Sequence, residues 1–332
     1  MKMNMIHDVI VIGSGPAGLA TAIEAQKAGL NYVVLDKGAI ANAIQGFQRD
    51  MFFFSTPELL EIGGIPFIVP TTRPTSLDCV NYYRRVVDHF KLNCRFYQEV
   101  TTVRKEGDTF TVSIADGTTY NAKKVVVATG YYYTPTPLDV PGEDLPHVTH
   151  YYRDPLPYYK QNVLIVGGKN SAVEAALDLY RHGANVTVVH RGPELSKNVK
   201  YWILPDFLNR CAEGSIKFLG NTTVKEFRSG ITVVESAEEG KSRVSEIPTD
   251  FAFILIGYRP DVPFMERLGI QLDPESLAPV INPDTYETNI PSLYVAGGVV
   301  PGKYNNKVFI ENGRTHGMSI VKSILGRQAK GS

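Results

Sequence analysis

Three closely spaced glycines, Gly13, Gly15 and Gly18, follow the apolar run Val9-Ile10-Val11-Ile12 and precede a helical stretch from Leu19 to Ala28. This spacing is suited to holding a dinucleotide. The first glycine allows a tight turn, the second lets the backbone approach a pyrophosphate, and the third lets the helix pack closely on the strand. The loop also carries Pro16 and Ala17, and the free N–H groups of the following helix face the phosphates. A second apolar run, Tyr32 to Leu35, ends on Asp36-Lys37. An acid in that place accepts hydrogen bonds from a ribose diol and repels a 2′-phosphate. The residues therefore point to FAD or NAD here, and not to NADP.

A second pattern of the same kind runs from Val163-Leu164-Ile165-Val166 into Gly167-Gly168-Lys169-Asn170-Ser171-Ala172. It is less regular: Lys169 replaces one glycine and Ala172 the last. Two readings of Lys169 stand, a phosphate contact and a solvent-facing cation. The next strand, Val186 to Val189, ends on His190-Arg191 and not on an acid. A guanidinium there can grip a 2′-phosphate and stack on adenine. Lys197 and Lys200 follow closely, and a solvated basic loop is the plainer alternative. NADPH is thus assigned to this half and FAD to the first. Two dinucleotide sites in one chain imply that one passes electrons to the other, as in a flavoprotein reductase.

These loops need two parallel sheets to carry them. The 332 residues suffice for two domains. The expected fold is α/β, two Rossmann-like dinucleotide-binding domains with the NADPH domain inserted in the FAD domain. Residues 1–133 and 260–332 are expected to form the FAD domain, 160–258 the NADPH domain, and the Pro- and Tyr-rich residues 134–159 a connector. In the first domain, Asp78 to Phe90 reads as a helix and Cys94 to Tyr97 as a strand. Thr109 to Ile114 and Thr118 to Tyr120 read as a hairpin on Asp116-Gly117. Lys124 to Val127 is a buried strand ending in Ala128-Thr129-Gly130. The last strand of the second domain is expected at Phe251 to Ile256. Ser292 to Gly298 is a short strand carrying Ala296-Gly297, and Thr315 to Leu325 a closing helix.

Thirty-four basic residues balance thirty-four acidic ones. No net charge favours nucleic acid or a membrane surface as partner. No apolar run approaches the roughly 18 residues of a membrane span. Met1-Lys2-Met3-Asn4-Met5 leads directly into the first strand, so no signal peptide is expected, and Ala329 to Ser332 reads as a frayed tail. Three cysteines, Cys79, Cys94 and Cys211, form no disulfide framework and suit a reducing cytosol.

Over essentially its full length the sequence resembles the low-molecular-weight, thioredoxin-reductase-like branch of the two-dinucleotide flavoprotein reductases. The resemblance runs from Gly13 through Ala128-Thr129-Gly130, Gly167 to Ala172, His190-Arg191 and Gly257-Tyr258-Arg259-Pro260 to Ala296-Gly297. It implies that the Ala128-Thr129-Gly130 strand end and the Gly297 segment bear on the flavin. Gly298 stands where the branch has an aspartate that touches the flavin's ribityl chain. The branch's Cys-x-x-Cys is absent throughout. Phe52-Phe53-Phe54-Ser55, Ile62 to Phe67, Gly167 to Ala172, Trp202 to Pro205 and Phe309 to Gly313 are similar to segments of the bacillithiol disulfide reductase, or bacilliredoxin reductase, family. In that family Lys169 is expected. Some members carry a cysteine at the place of Ala17, and a route through that thiol is closed here. A homodimer is usual for the branch.

The resemblance implies hydride transfer from NADPH to the flavin, with the helix start around Asn312 to His316 placed to stabilise the charge of the reduced ring. His316 is a candidate proton donor or hydrogen-bond partner at the flavin; a structural histidine at the helix end is the other reading. The three cysteines read as packing. Tyr131-Tyr132-Tyr133 either line a substrate mouth or pack a domain junction, and Trp202 packs a helix start. The expected acceptor is a small-molecule disulfide or a small redox protein. Two further enzymes remain open: an NADPH:ferredoxin reductase, which also lacks the dithiol, and a flavin monooxygenase, suggested by Pro141-Gly142 and His150. A nucleotide-binding regulator is the non-enzymatic reading.

Overall fold

The computed structural model describes residues 5–238 and 241–328. The expectations made for Met1 to Asn4 and for Ala329 to Ser332 lie outside the described residues. The chain divides into two compact units, one of Met1–Gln45, Phe52–Thr134 and Tyr258–Ser332, the other of Gly46–Met51 and Pro135–Gly257.

The first unit is built on a seven-stranded sheet. Strands β1 (Ile6–Ile12), β2 (Tyr32–Leu35) and β3 (Cys94–Arg95) run parallel, and β4 (Val100–Glu106) and β5 (Thr109–Ile114) form an antiparallel edge. The pivot is β6 (Thr119–Val127), which the sequence reading divides into two strands. Its first half pairs with β5 across the Asp116-Gly117 turn, where Gly117 has φ +88°. Its second half, Val125-Val126-Val127, is buried between β1 and β15 (Leu293–Val295). Register fixes the outcome: Ile12 and Val295 both lie beside Val127, so three strand ends emerge together at one carboxyl edge.

Helix α1 (Pro16–Lys27) packs against the long C-terminal helix, α9 (His316–Gln328). Short helices α2 (Asn42–Gln45) and α3 (Pro57–Leu60) precede α4 (Ser76–Phe90). A capping box starts α4: Thr75 Oγ1 accepts from Asp78 N at 3.2 Å and Asp78 Oδ2 accepts from Thr75 N at 2.8 Å. Its buried residues, Cys79, Tyr82, Tyr83 and Val86, recur at helical spacing, as a one-sided apolar face requires.

In the second unit β7 (Val148–Thr149), β8 (Asn162–Val166), β9 (Asn185–Val189), β10 (Ile216–Leu219) and β14 (Phe251–Ile254) make a parallel sheet in the order β10-β9-β8-β14-β7. Helices α5 (Asn170–Arg181) and α6 (Leu204–Ala212) belong to it. Side chains alternate along β8. Val163 and Ile165 enter a core with Val173, Leu177 and Phe207, while Leu164 and Val166 enter another with Phe227, Val234 and Ile247. The second core is closed by three antiparallel strands, β11 (Thr222–Arg228), β12 (Ile231–Glu238) and β13 (Lys241–Pro248). This burial on both faces explains the uninterrupted apolar run before Gly167.

The Pro-rich stretch after Thr134 supplies β7, whose Val148 pairs with Ala252. Residues Gly46–Met51 also join this unit: Gln48 Nε2 donates to Asp178 Oδ2 at 3.0 Å, and Arg49 N to Arg153 O at 3.1 Å. The return to the first unit passes through α7 (Val262–Arg267), capped by Asp261 Oδ1 accepting from Phe264 N at 2.9 Å. It ends with α8 (Ile310–Gly313) and α9. Among the described residues no helix is long and apolar enough to cross a membrane.

Candidate functional site

The turn from β1 into α1 is set by backbone crowding. Gly13 has φ +111°, and a side chain there would overlap the carbonyl of Ala128. A side chain on Gly18 would overlap the carbonyl oxygen of Gly13, so this glycine lets the helix sit directly on the strand end. Gly15 is different: a Cβ there meets nothing within 4 Å. It is also the N-cap of α1, and no side chain caps the helix and no acid occupies its first turn. Pro16 and Ala17 complete that turn. Open space over a helix start whose N–H groups lack a side-chain cap is what a pyrophosphate requires, so the first loop fits the phosphates of FAD.

Asp36, just beyond β2, is tied into this loop. Its Oδ2 accepts from Ser14 N at 2.6 Å and Ser14 Oγ at 2.7 Å, and its Oδ1 accepts from Gly38 N at 2.8 Å. Each carboxylate oxygen has two lone pairs, so capacity remains for a ribose hydroxyl. Lys37 Nζ stands 4.1 Å from the centre of the Tyr133 ring.

At the same edge Ala128 N donates to Ile12 O at 2.8 Å, and Thr129 and Gly130 follow, the latter with φ +68°. Ala296 N donates to Val127 O at 2.9 Å, which brings Gly297 alongside. A Cβ on Gly297 would come within 2.6 Å of Ala17 Cβ. The side-chain-free Gly297 thus lets the glycine loop and the β15 strand end meet. Gly297 N donates to His316 Nδ1 at 3.1 Å. The His316 ring is 5 % exposed and stacks on Tyr286 with centroids 4.1 Å apart. Burial pushes its pKa down to about 4. The ring is therefore neutral at pH 7, with Nδ1 accepting and the proton on Nε2. Such a ring positions Gly297 and is poorly suited to act as an imidazolium acid. The Tyr286 side of this contact carries no sequence signal.

The second loop repeats the local logic. Gly167 has φ +159°, and a Cβ there would lie 2.7 Å from Leu255 O and 2.8 Å from Ala172 Cβ. A side chain on Gly168 would strike the His190 ring. Lys169 is the N-cap of α5 and makes no side-chain cap bond, and Lys169 and Ser171 are exposed. Asn170 Oδ1 accepts from Lys200 N at 2.8 Å and so fastens the 196–200 segment to the start of α5. Desolvation, and next the Arg191 charge, hold the His190 pKa below its ordinary value. Arg191 and Lys197 are exposed cations. Lys200 departs from the expectation of a phosphate contact: its ammonium is buried and pairs with Glu174 Oε1 at 2.6 Å. The periodicity of α5 gives no hint of that pair, because it depends on how a separate loop folds back on the helix.

The cysteines are poor nucleophiles. Cys79 is fully buried, and burial raises its thiol far above the usual range. Burial pushes the Cys94 thiol up to about 12 and raises that of Cys211. All three are unpaired, and the described residues hold no cluster able to bind a metal.

The family model for pyridine nucleotide-disulphide oxidoreductases matches residues 10–297. Bacilliredoxin reductase Bdr of Bacillus subtilis (strain 168) is 38 % identical over 320 residues, covering 96 % of this chain and 98 % of the relative. The solved structure of the bacillithiol disulfide reductase Bdr from Staphylococcus aureus superposes with a TM-score of 0.92 at 39 % identity, covering 98 % of this chain and 100 % of that one. A thioredoxin reductase from Mycolicibacterium smegmatis is 29 % identical over 310 residues, 91 % of each chain. Reductases of this kind take FAD and NADPH as cofactors. The chain belongs to the pyridine nucleotide-disulphide oxidoreductase family, within its bacilliredoxin (bacillithiol disulfide) reductase branch, and is a flavin-dependent disulfide reductase of the thioredoxin-reductase type.

Proposed function

We propose that the chain is an NADPH-dependent reductase that delivers electrons from bound FAD directly to a disulfide of the bacillithiol type, or to a bacilliredoxin-like protein that carries one. The observation that carries this reading is the state of the thiols: three buried or half-buried cysteines with raised pKa values offer no internal dithiol. The reductase names borne by its relatives support the choice of acceptor.

In this reading residues 1–133 and 260–332 hold FAD, and 160–258, joined through 134–159, hold NADPH. When bound, FAD supplies the chemistry that connects hydride donation by nicotinamide to reduction of a disulfide. The chain supplies position and charge. Gly13, Gly15, Pro16, Ala17 and Gly18 shape the pyrophosphate cradle, Asp36 and Lys37 flank the adenosine, and Ala128, Thr129, Gly130 and Gly297 form the edge beneath the flavin. His316 holds Gly297 in place. Gly167 to Ala172 cradle the second pyrophosphate, with His190 against Gly168, and Arg191 reads the 2′-phosphate with Lys197 beside it. A homodimer in a reducing cytosol belongs to the same reading, supported by the free thiols and the family resemblance.

The test is a panel of acceptors offered to the NADPH-reduced enzyme. A bacillithiol-type disulfide, or a bacilliredoxin-like protein in its oxidised form, should be reduced much faster than ferredoxin. An enzyme that ignores every disulfide and reduces ferredoxin rapidly would overturn the acceptor assignment and leave the fold untouched.

A further inference from the structure

Tyr131 lies four residues beyond the last residue of β6, at the edge where the ends of β1, β6 and β15 meet. Its ring lies against Gly298: a Cβ built there would stand 2.8 Å from Tyr131 Cε1 and 2.9 Å from Cδ1. Gly298 does not have a positive φ, so its backbone is open to any residue. The ring alone requires glycine. A continuous line of close contacts follows, from Ala17 in the first glycine loop to Gly297, then Gly298, then the Tyr131 ring.

The phenol is partly buried, and burial alone raises its pKa; no hydrogen bond contributes. Its neighbours differ. The Tyr132 ring meets those of Tyr133 and Tyr258, and the Tyr133 hydroxyl accepts from Asn42 Nδ2. The Tyr131 hydroxyl has no hydrogen-bond partner among the described residues, and it is not among the buried side-chain atoms left without one. It therefore keeps some access to solvent, with its ring against Gly298 beside the first dinucleotide loop. A largely desolvated hydroxyl without a hydrogen-bond partner among the described residues, at the carboxyl edge of a parallel sheet, is where a ligand contact is expected.

We propose that Tyr131 is a further FAD-binding residue, its hydroxyl donating a hydrogen bond to a polar atom of the bound FAD, and that Gly298 is the residue that makes room for its ring. This rests on the assignment of FAD to the first loop. It replaces the open choice between a substrate mouth and a domain junction for this tyrosine.

The experiment titrates FAD itself into full-length apoprotein, followed by flavin fluorescence, with the melting temperature of each apoprotein as the control for folding. Tyr131→Phe removes the hydroxyl and keeps the ring. It should weaken FAD binding roughly 3- to 10-fold, as loss of one neutral hydrogen bond does, with the apoprotein melting temperature unchanged. Gly298→Ala displaces the ring and should weaken FAD at least as much. The double variant should then lose little more than Gly298→Ala alone, because both changes remove the same contact. Unchanged FAD affinity in Tyr131→Phe overturns the proposal, and so does a defect confined to the KM of the disulfide acceptor. Wild-type apoprotein that takes up no FAD would overturn the assignment of the first loop as well, so the two failures are distinct.

Discussion

Gly15 and Gly18 occupy one loop and predict opposite outcomes. A side chain on Gly15 projects into open space, so Gly15→Val should leave the apoprotein melting temperature nearly unchanged and, on the proposed reading, abolish flavin binding by filling the pyrophosphate's place. Gly18→Ala collides with the Gly13 carbonyl and should lower stability whether or not FAD is present. A fully flavin-loaded Gly15→Val enzyme would remove the first loop from the site. At Arg191, loss of a charge-assisted phosphate contact costs about 1.5–3 kcal/mol, so Arg191→Ala should reduce kcat/KM for NADPH roughly 10- to 100-fold. NADH should be almost unaffected; equal losses with both nucleotides would make Arg191 structural. His316 predicts a pH dependence. Its folded pKa of about 4 lies below the ordinary value of 6.5. The unfolded chain therefore takes up a proton that the folded chain refuses. The stability this histidine contributes is full above pH 6.5 and is lost as pH falls toward 4, by roughly 3 kcal/mol in all. Urea unfolding of wild type and His316→Gln at pH 7 and pH 4.5 should show a smaller acid loss in the variant. Parallel losses would place the titration elsewhere.

At the scale of elements, the pair between Lys200 and Glu174 joins the 196–200 segment to α5. Lys200→Ala would leave Glu174 buried without its cation, at a cost of about 3–5 kcal/mol when one partner of a buried pair is removed. The preference for NADPH over NADH should stay as it was. A large fall in that preference with normal stability would return Lys200 to the phosphate site. The same scale shows where sequence patterns suffice. The double-faced β8, the amphipathic α4 and the Asp116-Gly117 turn are legible because period and turn chemistry act over a few residues. The unity of β6 is not, because β1 runs beside both halves while on the other edge β5 gives way to β15, so the pattern changes midway. The three-stranded sheet of β11, β12 and β13 also escapes notice, its outer strand β13 being mostly exposed and polar.

For the whole molecule the distinguishing property is the absence of a Cys-x-x-Cys pair. A variant with Cys79, Cys94 and Cys211 all changed to serine should be less stable, since hydroxyls replace buried thiols. It should bind FAD, accept hydride and keep most of its acceptor reduction. Normal hydride uptake with no acceptor reduction would place a cysteine in the electron path. The position of Ala17 sharpens the point, because its Cβ faces Gly297 and no thiol stands in the loop.

The amino-acid sequence by itself determined the two-domain α/β class, the family, and the identity of the cofactors. The class and the cofactors rest on glycine spacing and strand-end residues, whose backbone requirements are local, and the family on the resemblance of segments such as Phe52 to Ser55 and Trp202 to Pro205. Tertiary structure alone decided which charged and aromatic side chains remain available. Lys200 is spent on Glu174 and His316 on Gly297 and Tyr286, while the Tyr131 ring lies against Gly298 with no hydrogen-bond partner for its hydroxyl among the described residues. Each of these depends on contacts between segments far apart in the chain, and no periodicity within one segment encodes which distant group will meet it.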